Sequence, residues 1–262
     1  MTMQKFEIGG LNVAYVDEGS GPPVIFAHCS SASHRMWRPL IDKLRLRYRI
    51  IAPDLIGYGA TDRWPDGEPF DYMADAQILI ELAERAGEPV HFVGHSYGAA
   101  MILQAVMQME TEPRGMTLIE PVAFPMLPAT GRHAAWDRMN GFAAKVEAAS
   151  KRGDHDAVAR LYMGFWIGRL RWWLTPRKLK DRVLETVDKV ALEFGAMRDT
   201  NEPDLEKARR LRTSVVLAHG AKTRRIAIEV IEALNEVLPN SRIERITGAG
   251  HMSPLTHPDQ VN

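Results

Sequence analysis

The stretch "VHFVGHSYGAAM" (residues 90–101) places a short apolar run, the pattern Gly-x-Ser-x-Gly and a second apolar run directly after one another. The first run is typical of a buried strand and the second of a helix. The flanking glycines remove side chains that would collide across such a sharp turn, and the turn forces the serine into a strained backbone conformation. We therefore expect the hydroxyl of Ser96 above a sheet, beside the free N–H of Tyr97 at a helix N-terminus.

Apolar runs that end in polar residues recur around this stretch. They are "VIFAH" (24–28), "YRIIAPDL" (48–55), "GMTLIEP" (115–121), "TSVVLAHG" (213–220) and "RIERITGAGH" (242–251). Helical patterns alternate with them at about residues 36–47, 72–86, 97–109 and 225–238. This alternation predicts a mostly parallel α/β sheet whose ligands collect at the carboxyl ends of the strands. Two further runs joined by Gly9-Gly10, "QKFEIGG" and "LNVAYVDEG", predict an N-terminal antiparallel hairpin.

Residues 124–212 contain no convincing strand but several helical patterns. We interpret them as a helical insertion, which leaves residues 1–123 and 213–262 as the core. Aromatic residues are concentrated in the insertion, which would cover the strand ends. Most of them are expected to pack inside it, and Trp136, Phe165 and Trp166 are the candidates for contacting a substrate.

Composition argues against several classes of partner. The chain has 262 residues and balances 33 basic with 33 acidic side chains, so no overall charge favours nucleic acid or an anionic membrane. The N-terminus lacks a signal-peptide pattern, and the single cysteine, Cys29, forms no disulfide within the chain. We expect a cytoplasmic protein with a small-molecule substrate, no metal and no cofactor. The oligomeric state stays open.

Five motifs occur in a consistent order along the chain: "HCSSASHRMW" (28–37), "DLIGYGATD" (54–62), "GHSYG" (94–98), the helical insertion, and "GAGH" (248–251). In these motifs the chain resembles the α/β-hydrolase superfamily, from the hairpin to the last residues. The resemblance implies a twisted, mostly parallel sheet with an inserted helical cap, and a serine hydrolase with Ser96 as nucleophile. It also implies a last helix beyond "THPDQVN" (256–262).

The resemblance further implies that His251 is the general base. Histidine suits this role because its ordinary pKa, about 6.5, lets it accept and return a proton near neutral pH. His257 is the weaker alternative, and His95 is expected to be structural. The backbone N–H groups of Tyr97 and Ser30 are the expected oxyanion hole.

Two further residues of the loop after "VIFAH" carry expectations. Relatives usually have glycine where Cys29 stands, and we interpret this cysteine as a small packing residue. Trp37 matches a position beneath the mouth of the pocket and is a further candidate for contacting substrate.

The acid of the triad is less obvious. Many relatives carry an aspartate about three residues after the glycine that ends the penultimate strand, and Thr223 stands there. Some relatives place the acid at the end of the preceding strand instead, where this chain has Glu120. We predict Glu120 as the catalytic acid. The alternatives are a salt bridge from Glu120 to a cap arginine, and an acid supplied by Asp199 or Asp204.

A serine nucleophile beside an oxyanion hole indicates attack on a carbonyl, formation of an acyl-enzyme and hydrolysis by water. We expect hydrolysis of a small to medium, partly apolar carboxylic ester. The alternative is a carbon–carbon bond hydrolase for diketone-type ring-cleavage products, in which Arg138, Arg169 or Arg171 would hold a substrate carboxylate. A lyase or a ligand receptor with little turnover is the third reading. Relatives that hydrolyse epoxides or haloalkanes use aspartate as nucleophile, which disfavours those activities here.

Overall fold

The computed structural model describes residues 3–199 and 203–261, and within them eight strands form one sheet. The strands are β1 (Met3–Ile8), β2 (Leu11–Glu18), β3 (Pro23–Ala27), β4 (Arg49–Pro53), β5 (His91–His95), β6 (Gly115–Ile119), β7 (Val215–Gly220) and β8 (Ser241–Ile246). Their order across the sheet is β1-β2-β4-β3-β5-β6-β7-β8. Strand β2 is antiparallel to β1 and β4, and the pairs from β4 to β8 are parallel. The predicted parallel sheet with an N-terminal hairpin is confirmed.

Helices follow most of the strands. They are α1 (Arg38–Leu44), α2 (Tyr72–Ala86), α3 (Tyr97–Val106), α4 (Met126–Ala129), α5 (His133–Lys151), α6 (His155–Trp166), α7 (Arg169–Leu174), α8 (Arg177–Leu184), α9 (Val187–Asp199), α10 (Leu205–Arg210), α11 (Arg225–Val237), α12 (Ser253–Thr256) and α13 (Pro258–Val261). Helix α2 begins after Asp71, whose side chain accepts the N–H of Met73, and ends at Gly87 in the left-handed conformation. Among residues 3–199 and 203–261, no helix is long and apolar enough to cross a membrane.

Hydrophobic cores cover both faces of the sheet. Side chains alternate between them along β3, so that Ile25 joins the core under α2, α3 and α11, and Phe26 joins the core under α1. Both side chains are fully buried. Strands β3, β5, β6 and β7 are buried along nearly their whole length, as expected for parallel strands covered on both faces, whereas β8 at the edge of the sheet is exposed at residues 242–245.

The helices α4 to α10 lie between β6 and β7 in the chain, and we call residues 126–199 and 203–210 the helical segment. The segment contacts loops at the carboxyl ends of the strands: Tyr162 donates to the carbonyl of Ser30, and Thr186 donates to the hydroxyl of Ser31. These contacts put the segment over the edge of the sheet at which ligands are expected. The division of the chain at residues 124 and 212 stays a prediction.

Candidate active site

The turn between β5 and α3 holds Ser96 in a strained backbone conformation. Its φ and ψ are 54° and −115°, a backbone conformation that residues other than glycine rarely adopt. A Cβ at Gly98 would collide with the carbonyls of Ala27 and His28, so glycine at this position lets α3 pack against the end of β3. The sharp turn is therefore maintained by close packing on both of its sides.

Ser96, His251 and Glu120 form a hydrogen-bonded chain. The Oγ of Ser96 lies 3.0 Å from Nε2 of His251, and Nδ1 of His251 lies 2.6 Å from Oε2 of Glu120. All three side chains are buried, with Ser96 and His251 4% exposed and Glu120 fully enclosed. With Nδ1–H donating to the carboxylate, Nε2 is free to accept the serine proton. The structure thus brings together three residues that lie after β5, β6 and β8.

Thr223 stands where many relatives have aspartate, and its hydroxyl donates to Oε2 of Glu120 at 2.5 Å. The N–H of Gly220 donates to Oε1 at 2.8 Å. Burial by itself would raise the pKa of Glu120, but the hydrogen bonds from His251, Thr223 and Gly220 outweigh it and leave the pKa below its usual value. The loop after β7 therefore supplies donors that keep this carboxylate ionised.

The two predicted oxyanion donors lie on adjoining segments. The N–H of Tyr97 is the first of α3, and the opening N–H groups of a helix have no carbonyl partner within it. The close packing at Gly98 sets the loop of Ser30 against this helix end. His28 holds the loop by accepting the N–H of Leu55 at 2.9 Å. Cys29 is a packing residue here, since burial raises the pKa of its thiol to about 12 and it carries no thiolate near neutral pH.

A buried charge cluster lies behind the predicted oxyanion hole. The Nζ of Lys189 lies 2.8 Å from Oδ2 of Asp75 and 2.9 Å from Oε1 of Glu193. Asp75 also accepts the phenol of Tyr97 at 2.8 Å, and Glu193 accepts the hydroxyl of Ser30 at 2.5 Å. The side chains of both predicted oxyanion residues are thus held by one cluster, and two of its members come from α9.

Burial and charge act in opposite directions on this cluster. Burial by itself would lower the pKa of Lys189, but Asp75 and Glu193 outweigh it and the pKa is raised. The pKa of Glu193 is raised, because the effect of burial is larger than the opposing effect of the Lys189 charge and of the hydrogen bonds that Glu193 accepts. The ammonium of Lys189 is therefore maintained, and the raised pKa makes Glu193 easier to protonate than an ordinary glutamate.

Helix α6 places two aromatic side chains over the site. The ring of Trp166 stacks on the imidazole of His251, with centroids 3.7 Å apart and planes at 17°. One turn earlier, Tyr162 donates to the carbonyl of Ser30 at 3.3 Å. Residues four apart share one face of a helix, so this face covers both the base and the oxyanion loop. Trp166 was predicted to contact substrate from its position in the insertion, whereas Tyr162 was missed.

Arg224 connects the loop after β7 to the end of α6. Its guanidinium donates to the carbonyls of Gly164 and Phe165 and lies 4.8 Å above the ring of Phe165. Phe165 in turn contacts Trp166 edge to face, with ring centroids 4.9 Å apart. Phe165, also predicted to contact substrate, therefore contacts Trp166, which in turn stacks on His251.

Other candidates lie away from the serine. Trp37 is 1% exposed and packs on Phe26 in the core under α1, so its position is that of a core residue and its predicted contact with substrate is not supported. Trp136 is half-buried against the other core. His95 donates to the carbonyl of His251, and burial lowers the pKa of His95 to about 3. Asp204 caps α10 by accepting the N–H of Lys207.

The arginines proposed for a substrate carboxylate are also elsewhere. Arg138 is 62% exposed and paired with Glu229, and Arg169 and Arg171 are exposed on α7. Over the two described ranges of the chain, no three His, Cys, Asp or Glu side chains come together in a way that could hold a metal ion. The candidate site is therefore described by Ser96, His251 and Glu120 together with the predicted backbone donors.

Comparison with known proteins supports this view of the fold. The model of the family described as "Alpha/beta hydrolase family" matches residues 24–262. A 2-hydroxy-6-oxo-2,4-heptadienoate hydrolase of Pseudomonas putida is 25% identical over 93% of this chain and 87% of its own length. A haloalkane dehalogenase of Sphingobium indicum is 33% identical, over only 46% of this chain and 42% of its own length. The crystal structure of an alpha/beta hydrolase from a Medee basin deep-sea metagenome library matches with a TM-score of 0.81 at 16% identity, covering 98% of this chain and 94% of that one.

Proposed function

Because the chain belongs to the alpha/beta hydrolase family, we propose that it is a serine hydrolase that cleaves uncharged, partly apolar carboxylic esters through an acyl-enzyme. The observation that carries the proposal is the chain of hydrogen bonds from Ser96 through His251 to Glu120. A serine whose proton can pass to a base fixed by a carboxylate is an activated nucleophile for a carbonyl carbon.

The reaction follows from the directions of these bonds. The Oγ of Ser96 attacks the ester carbonyl while Nε2 of His251 takes its proton. The N–H groups of Tyr97 and Ser30 stabilise the negative oxygen of the tetrahedral intermediate. The imidazolium, stabilised by Glu120, then protonates the departing alcohol. Water attacks the acyl-enzyme with His251 again as base, and Ser96 is released.

The nucleophile argues against dehalogenation. Attack of Ser96 on a haloalkane would give an alkyl ether, which has no carbonyl at which water could release the product. The similarity to a haloalkane dehalogenase covers 46% of the chain and leaves out much of it, so it carries little weight on the reaction. Chemistry at a carbonyl fits a serine nucleophile better.

The charges around the site favour an uncharged substrate. Lys189 is the one lysine or arginine that is buried among the described residues, and two carboxylates already hold it. Above the triad, α6 contributes the aromatic rings of Tyr162 and Trp166. Among the described residues there is no unpaired buried cation to bind a substrate carboxylate. An apolar acyl group would be stabilised by burial against the rings.

Carbon–carbon bond hydrolysis is the second candidate, since the relative that matches over 93% of the chain is a 2-hydroxy-6-oxo-2,4-heptadienoate hydrolase. Such a dienoate carries a carboxylate, so this candidate requires a cation to approach the site. Its nucleophile and base would be the same Ser96 and His251. Substrate charge therefore separates the two candidates.

The test compares two substrates on one protein. We expect turnover of p-nitrophenyl esters of graded chain length to exceed turnover of a 2-hydroxy-6-oxo dienoate by at least about a hundredfold in kcat/KM. Ser96→Ala should abolish turnover and labelling by a fluorophosphonate probe. A reversed preference would favour carbon–carbon hydrolysis. If the folded protein neither hydrolyses esters nor is labelled by the probe, the proposal that it is a serine hydrolase is wrong.

A further inference from the structure

Large apolar side chains are exposed together on α7 and α8. Leu170, Trp173, Leu174 and Leu179 are 70%, 71%, 63% and 48% exposed. They are four of the eight large hydrophobic side chains that are exposed among the described residues, yet they fall within ten positions of the chain. Single exposed apolar residues are ordinary on protein surfaces, whereas a contiguous group marks an interaction surface.

The same residues lie among positive charges. The stretch 169–182 carries six cations, Arg169, Arg171, Arg177, Lys178, Lys180 and Arg182, and its single carboxylate, Asp181, is paired with Arg177. We call residues 169–182 the docking face. The chain as a whole is neutral, so this excess is a local feature that the overall composition conceals.

A groove of about 1140 Å³ opens beside the docking face. Phe142, Leu161, Phe165 and Trp172 contribute apolar surface to it, and Arg160 and Lys180 are among its charged residues. Phe165 also contacts Trp166, which covers His251. The groove is therefore adjacent to the aromatic side chains above the triad.

We propose that the docking face binds the surface of an anionic phospholipid bilayer, with Leu170, Trp173 and Leu174 inserted among the lipids and the cations among the head groups. Tryptophan and leucine favour the interface between head groups and acyl chains, and lysine and arginine are attracted to anionic lipids. The positive charge of the docking face favours an anionic lipid surface over a second copy of the chain as its binding partner. Two copies meeting by this face would bring together twelve cations and only two carboxylates, because a twofold interface pairs a surface with itself.

Co-sedimentation with vesicles tests the docking face and requires no turnover. We expect the protein to bind phosphatidylcholine vesicles containing about 30 mol% phosphatidylglycerol, and to bind pure phosphatidylcholine at least about tenfold more weakly. Leu170→Ser/Trp173→Ser and Arg177→Gln/Lys178→Gln should each lose at least about tenfold in partitioning. About 0.5 M salt should weaken the wild type and have less effect on Arg177→Gln/Lys178→Gln.

Matched variants outside the docking face serve as controls. Leu46→Ser removes an apolar side chain that is 79% exposed just after α1, outside the helical segment. Arg209→Gln/Arg210→Gln removes two exposed cations from α10. Both should bind vesicles as the wild type does, with circular dichroism confirming the fold of every variant.

Three outcomes would overturn the proposal. The first is equal binding to anionic and neutral vesicles, and the second is equal losses in control and docking-face variants. The third is sedimentation of the free protein as a dimer that Trp173→Ser dissociates, because it would assign the face to a second copy.

Discussion

In the proposed mechanism Glu120 is the catalytic acid, and Thr223 donates a hydrogen bond to its carboxylate. Glu120 has a left-handed backbone at φ 45° and extends from the end of β6 to Nδ1 of His251, 2.6 Å away. Thr223 approaches the same carboxylate oxygen from the loop after β7, at 2.5 Å. Two backbone positions thus converge on one point beside the imidazole, so the acid could be carried by either. The absence of a carboxylate after β7 was visible in the sequence, but its replacement by a hydroxyl donor required the structure.

Replacing Glu120 by Gln removes the charge that stabilises the imidazolium, and it sets an amide NH2 against one of the donors that the carboxylate accepts, Nδ1–H of His251 or the N–H of Gly220. We expect kcat for a p-nitrophenyl ester to fall by about 10³- to 10⁴-fold, as loss of a triad acid does elsewhere. Steady-state turnover measures the loss, and an unchanged circular dichroism spectrum shows that the fold is kept. Turnover near the wild-type value would contradict the role of Glu120.

Position 223 offers a way to restore the acid. In Glu120→Gln/Thr223→Asp the new carboxylate starts from the loop that already contacts Oε2, and we expect kcat to recover at least about tenfold over Glu120→Gln. Thr223→Asp alone should be impaired, because two carboxylates at this separation repel and one takes up a proton. Glu120→Gln/Thr223→Asn is the uncharged control. Equal turnover in the two double variants would show that residue 223 cannot replace the acid.

At the scale of elements, α9 joins the helical segment to the loops that carry the predicted oxyanion donors. Lys189 and Glu193 lie one turn apart on α9 and reach Asp75 on α2 and Ser30 after β3. Removing the cation leaves two buried carboxylates without a counter-charge, which destabilises the fold by more than an exposed ion pair could stabilise it.

We therefore expect Lys189→Met to lower the free energy of unfolding by about 3–5 kcal/mol. Denaturant unfolding at neutral pH measures the change, with Lys178→Met as the exposed control. The triple variant Asp75→Asn/Lys189→Met/Glu193→Gln should regain part of the loss, since it removes the unpaired charges as well. A loss below about 1 kcal/mol for Lys189→Met would mean that water reaches the cluster.

Helix α6 ends with Trp166, whose ring stacks on the imidazole of His251, and we expect this ring to limit the space open to an acyl chain. Trp166→Ala should therefore raise kcat/KM for a p-nitrophenyl octanoate relative to an acetate by at least about tenfold, because the emptied space buries additional CH₂ groups. Trp173→Ala, which changes an exposed ring on α7, is the matched control. An unchanged ratio for Trp166→Ala would place the acyl chain elsewhere.

At the scale of the whole molecule, the sheet and the meeting of Ser96, Glu120 and His251 were largely predictable from the sequence. The parallel strands β3 to β7 are short, largely apolar runs; Ser96 and Glu120 lie directly after two of them, and His251 lies in the loop after β8. Parallel strands end at one edge, so their terminal residues come together by topology. The bounds of one predicted helix were less accurate. The helix expected at residues 36–47 is a 3₁₀ turn (His34–Trp37) followed by α1, whose start is set by Pro39.

The cluster of Asp75, Lys189 and Glu193 could not be predicted in this way. Lys189 contacts Asp75 across 114 positions of the chain, and Glu193 contacts Ser30 across 163. Such contacts depend on how the helical segment packs on the core, and no local period or motif encodes that arrangement. A buried lysine and glutamate four positions apart resemble an ordinary exposed helix pair in the sequence.

Glu120 also links distant parts of the molecule, since its partner Gly220 ends β7 and its partners Thr223 and His251 follow β7 and β8. Its pKa lies below the usual value of 4.5, so its charge stabilises the fold above that pH, and the contribution is lost as the pH falls through the lower, folded value. We expect the wild type to exceed Glu120→Gln by about 1–3 kcal/mol in free energy of unfolding at neutral pH. This difference should shrink progressively below pH 4.5 in urea unfolding series. Glu110→Gln, at an exposed position, is the control for general effects of charge, and a difference for Glu120→Gln that persisted undiminished to about pH 2 would show that ionisation of Glu120 does not support the fold.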